Sequence, residues 1–155
     1  MIGIKTIESK IEPGLYLHRI FRPDRQFCIL KKLFRQKQRF LVNGRININE
    51  NNQFLQLAAI GSIDAGKEFD AHYHKKQKRI TNLTQEIWIV MQGKVKAIYY
   101  DLDNSILDVA ILERGDVTIT YQGGHEYVML DSNTIVYEIK NGPYRDREKD
   151  KEIIC

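Results

Sequence analysis

Cysteine is scarce in this chain: 155 residues carry two, Cys28 and Cys155. They show neither the even, close spacing of a disulfide framework nor the C-x-x-C spacing of a zinc or redox site, so both read as free thiols that pack as small hydrophobes. Proline is nearly as sparse, at three. No Pro- or Gly/Ser-rich stretch divides the sequence, and the length suits one domain with one sizeable core. No apolar run approaches the roughly 18 residues needed to cross a bilayer. Glu8 and Glu12 interrupt the segment from Met1 to Leu15 where a signal peptide would have to lie. The expectation is a cytoplasmic protein with no membrane partner.

Charge is unevenly spread. Of the net +4, the stretch from Arg19 to Arg45 holds nine basic residues against the single acid Asp24, a local excess of +8, so the remainder sums to −4. Such asymmetry can mark a surface for phosphate or an acidic partner. It equally describes a solvated flank whose Phe27, Ile29, Leu30, Leu33, Phe34, Phe40, Leu41 and Val42 pack inward. The stretch has neither a glycine-rich phosphate loop nor an aromatic RNA-binding signature, so nucleic acid is not an expected partner.

Short segments rich in β-branched and aromatic residues dominate the rest. Strands are expected at Gln26–Lys31, Phe40–Ile46, Phe54–Ile60, Lys67–His74, Gln85–Gln92, Lys94–Asp101, Ser105–Leu112, Asp116–Tyr121, Glu126–Leu130 and Thr134–Lys140. Turn residues separate them at Asn43-Gly44, Asp64-Ala65-Gly66, Gln92-Gly93, Asp101 to Asn104, Arg114-Gly115 and Asp131-Ser132-Asn133. Many short, evenly spaced strands imply an all-β antiparallel sandwich or barrel. A short helix before Arg35 is compatible with Lys31 to Lys37, which has no β-branched residue. The charged tail from Tyr144 to Glu152 is expected to lie on the surface or fray.

Three of the four histidines fall in one pattern: His72 and His74 after Gly66, and His125 behind Gly123-Gly124. On a strand, the His-x-His spacing turns both imidazoles to one face, where they can share an ion. His18 lies apart and reads as a surface or hydrogen-bonded core residue.

Gly66-x5-His72-x-His74 followed by Glu86-x6-Gly93 resembles the first sequence motif of the cupin superfamily, and Gly115 through His125 resembles the second. The likeness spans about Ala58 to Tyr144. It implies a small antiparallel β-barrel or jelly-roll with an N-terminal extension: residues 1–50 as a basic extension packing on the barrel, 51–144 as the barrel, and 145–155 as a charged tail. It also implies a divalent metal ion (iron, manganese, nickel or zinc) held by His72, His74, Glu86 and His125. Eleven residues separate His74 from Glu86, where the family has three or four. In the second motif, Tyr121 stands where proline is common and Met129 where asparagine is frequent. The ending Tyr137 to Tyr144 is similar to small bacterial single-domain cupins, some of them linked to surface-polysaccharide or deoxysugar synthesis.

Three neutral imidazoles and one carboxylate would leave a divalent ion with charge +1, attractive to an anionic or enolate oxygen, and an octahedral ion would keep two positions open. If Glu86 faces the interior, period 2 puts Trp88 and Val90 on the same wall and turns Ile87, Ile89 and Met91 away. Tyr121, Tyr127 and Glu138 are candidate catalytic acid/base groups, while Arg79 and Trp88 are candidate substrate-binding residues. Three functions fit: a metal-dependent isomerase, epimerase or oxygenase acting on a small organic molecule; a non-catalytic ligand- or metal-binding module; and a metal-free isomerase or epimerase of nucleotide-linked sugars, with His72 or His74 as base. Exposed sheet edges and the apolar N-terminal segment favour a homodimer.

Overall fold

The computed structural model describes residues 3–22, 44–49, 53–61, 65–144 and 146–154. These form ten strands: β1 (Gly3–Glu8), β2 (Tyr16–Arg22), β3 (Gly44–Asn47), β4 (Ala58–Gly61), β5 (Glu86–Gln92), β6 (Lys94–Tyr100), β7 (Ile106–Glu113), β8 (Val117–Thr120), β9 (His125–Met129) and β10 (Ile135–Lys140). One helical turn, α1 (Arg147–Asp150), follows. Every pairing is antiparallel. The five-stranded sheet runs β1-β2-β8-β5-β10, the three-stranded sheet β7-β6-β9, and β3 and β4 pair alone. The described strands form no closed barrel.

The five-stranded sheet is apolar on both faces, which determines the layering. One face contributes Ile7, Ile20 and Val90 to a core shared with Val95, Ala97, Tyr99, Ala110 and Leu112 of the three-stranded sheet. The other carries Phe21, Ile87, Val117 and Ile119, covered by Ile48, Leu55, Leu57 and Ala59 around the β3–β4 pair. The period-2 expectation for β5 holds: Val90 enters the first core, and Ile87 and Ile89 the second.

Three expectations are revised. No strand forms over Lys67–His74; the segment is irregular and exposed. Strands β1 and β2 lie ahead of every expected strand and are integral to the large sheet. Central β2 is buried on both faces from Leu17 to Phe21, so it shows no alternation, and its Arg19 is accommodated because Nη1 donates to the Ile48 carbonyl at 2.7 Å. Phe54–Ile60 forms a strand only from Ala58. The expected strand Gln26–Lys31, most of the basic segment, the remainder of the possible helix before Arg35, Cys28 and Cys155 lie outside the described residues. Up to Arg22 the described chain contains no helix.

Candidate functional site

At one end of the sandwich the shared interior turns polar. Register places Glu86 opposite Thr120 and Trp88 opposite Thr118 on the large sheet, and His125 opposite Tyr99 and Tyr127 opposite Ala97 on the small one. Of these, Glu86, Trp88, Thr120, His125 and Tyr127 line a cleft of about 640 Å³. Within it, Nε2 of His125 lies 3.1 Å from Oε1 of Glu86, and the Trp88 and Tyr127 rings stack with centroids 4.0 Å apart. The His125 ring lies 5.1 Å from that of Tyr127.

Electrostatics define the protonation pattern. Burial alone would raise the pKa of Glu86, but the hydrogen bond and charge of His125, the Lys151 ammonium and the Trp88 indole outweigh it and lower the pKa from its ordinary value. An ionised carboxylate only accepts, so Nε2 of His125 carries the proton and donates to it. In the neutral ring the lone pair then sits on Nδ1, which is shielded from solvent and has no hydrogen-bond partner among the described residues. Burial pushes the Tyr127 hydroxyl well above its usual range, helped by Tyr99 and Glu86 and opposed by Thr120 and Thr118, so Tyr127 remains a neutral O–H.

His18 stands behind this pair, fully buried. Its Nε2 lies 3.2 Å from the Tyr100 carbonyl and its Nδ1 3.2 Å from the Thr120 hydroxyl. The carbonyl can only accept, so Nε2 donates and Nδ1 accepts from Thr120. Burial lowers the His18 pKa to about 4, against the Tyr100 hydrogen bond and Asp101, and with the help of His125. Nothing in the local sequence around His18 announces this role, because its partners lie 82 and 102 residues away.

The structure divides the expected ligand set into two pairs. His72 and His74 are exposed on the irregular segment, their rings edge to face at 5.3 Å, with Nδ1 of His72 donating to the Asp70 carbonyl at 2.8 Å. Glu86 and His125 lie in the cleft. Among the described residues no three His, Cys, Asp or Glu side chains converge as a metal site. Of the other candidates, Trp88 and Tyr127 line the cleft, whereas Tyr121 packs on the opposite face of the large sheet beside Phe21 and Ile48. Glu138 is exposed, 3.7 Å from the Lys140 ammonium, and lines a neighbouring, more open depression of about 710 Å³ with Tyr144, Arg147 and Lys151. Arg79 is exposed on the irregular segment.

The tail expected to lie on the surface or fray is largely exposed, and it also lines the cleft through Arg147, Asp150, Lys151, Glu152, Ile153 and Ile154. Its composition is that of a solvated end, and only the ion pair from Lys140 to Asp150, at 2.6 Å, and the seating of Ile154 on Gly124 reveal otherwise. No family model, curated protein or solved structure matches the chain.

Proposed function

We propose that this chain is a cupin-like isomerase or epimerase that moves a proton on a small organic molecule bound in the β5–β9 cleft. The observation that carries the reading is the Glu86–His125 pair at 3.1 Å. A carboxylate fixing one ring nitrogen leaves the other as base and stabilises the imidazolium that forms when it takes a proton. Once the surrounding side chains part to admit substrate to it, the shielded Nδ1 of His125 would accept a proton from a carbon next to a carbonyl and return it to that carbon or its neighbour. The stacked Trp88 and Tyr127 offer an apolar, flat wall for the body of the substrate. The resemblance to cupins of polysaccharide and deoxysugar synthesis favours nucleotide-linked keto sugars as the substrate class.

Solvent-exchange NMR tests this. Protein incubated with a panel of such sugars in deuterated buffer should place deuterium next to the carbonyl of at least one, and His125→Ala should abolish the exchange. Exchange that persists in His125→Ala rejects the assignment.

A second reading, a metal-dependent enzyme or metal-binding module, draws on His72: with its Nδ1 donating to the Asp70 carbonyl, its Nε2 holds the lone pair a metal needs. The four ligands do not converge in this conformation. About one equivalent of metal in purified protein, lost in both His72→Ala and His125→Ala, would favour this reading over the metal-free one.

A further inference from the structure

Two of the contacts that hold the segment 146–154 join its ends to the body of the fold. Helix α1 is a single turn with no buried residue, capped by the Asp146 carboxylate accepting from the Lys149 amide at 2.8 Å. A turn this short has no stability of its own. One hold is the ion pair between Lys140 of β10 and Asp150, at 2.6 Å with side chains 15% and 16% exposed. A second hold is Ile154, seated on Gly124 so closely that a Cβ there would run into its Cδ1. Between the two holds lies Lys151, which lines the cleft and adds its attraction to Glu86.

We propose that the segment 146–154 is a strap over the Glu86–His125 cleft, latched by the Lys140–Asp150 ion pair at one end and by Ile154 on Gly124 at the other, and that ligands reach the cleft when both release. One latch is electrostatic and, being mostly buried, only weakly screened by salt, whereas the other is apolar. Gly124 is bare because closure needs the space a side chain would take. The strap depends on the cleft alone and stands whether or not His125 transfers protons.

Trp88 is the only tryptophan in the chain and lines the cleft, so its fluorescence reports access without any substrate. Quenching by neutral acrylamide is compared between the unmodified protein, Asp150→Ala, Ile154→Ala and the charge swap Lys140→Asp/Asp150→Lys. The strap predicts a quenching constant raised about two- to fivefold in each single variant, the scale expected from losing one such latch. It also predicts a return toward the unmodified value in the swap. Ile154→Ala, outside both cores, keeps the test open should Asp150→Ala misfold. Unchanged quenching in both single variants, or a rise that the swap does not reverse, overturns the proposal.

Discussion

Nε2 of His125 and Oε1 of Glu86 meet at 3.1 Å across the interior, one from the small sheet and one from the large. The pair therefore joins the two layers where the cleft opens between them. Glu86→Gln keeps the shape and removes the charge. The expected cost is about 1.5–3 kcal/mol at neutral pH, the scale of a hydrogen bond to a charged group. Because folding lowers the Glu86 pKa, its contribution is present above the unfolded value of 4.5 and is lost as pH falls through the folded one. Urea titrations at pH 7 and pH 4 on both proteins check this, and the gap between them should narrow at the lower pH.

His18 predicts a second pH dependence. Its pKa falls from 6.5 to about 4 on folding, so the unfolded chain binds the extra proton between those values and stability declines as pH drops from 6.5 toward 4. The loss amounts to about 3 kcal/mol at the bottom of that window. Asp101, which favours the charged ring, and His125, which opposes it, are the other ionisable groups acting on it. His18→Gln should flatten this part of the unfolding profile, and a profile unchanged by the substitution would remove His18 as its source.

Tyr99 and Thr118 share a buried hydrogen bond of 2.8 Å. Tyr99→Phe leaves the threonine hydroxyl without that partner and should cost about 1–3 kcal/mol, while Tyr99→Phe with Thr118→Val, which removes both polar groups, should cost less than the two single changes summed. A double-mutant cycle by thermal or urea unfolding measures the difference.

Gly93 and Gly66 both have positive φ, +78° and +84°, but different surroundings. A Cβ at Gly66 meets nothing within 4 Å, so Gly66→Ala should cost only the backbone term of about 1–2 kcal/mol. At Gly93 it would also come within 2.9 Å of the Thr134 Cα, so Gly93→Ala should be the more damaging of the two by unfolding midpoint.

Strands β5 to β10 were legible because they alternate or carry β-branched runs between strong turn residues, as at Gln92-Gly93 and Arg114-Gly115. Edge strand β1 buries only Ile7 and so offers little apolar signal. Central β2 hides Arg19 and His18 behind partners distant in sequence. Lys67–His74 has the composition of a strand and no ladder to join. Of the candidate site, Glu86, Trp88, His125 and Tyr127 were visible as motif and periodicity, whereas the grouping of Glu86 with His125 apart from His72 and His74 depends on how the layers face each other. The tail's role depends on Lys140 and Gly124, which its own charged sequence does not reveal.

Strand β2 has one consequence for how the protein is made. Its neighbours are β1, just before it, and β8, which begins at Val117. On the ribosome, the chain from Arg22 to Val117 takes about 5–20 s to synthesise at ordinary rates. For that time Leu17, Ile20 and Phe21 wait with one hydrogen-bonding edge unpaired, a template for another nascent chain. The burden of keeping this protein soluble in a cell therefore falls during translation, and substitutions on β8 that leave the finished fold intact can still lower its yield.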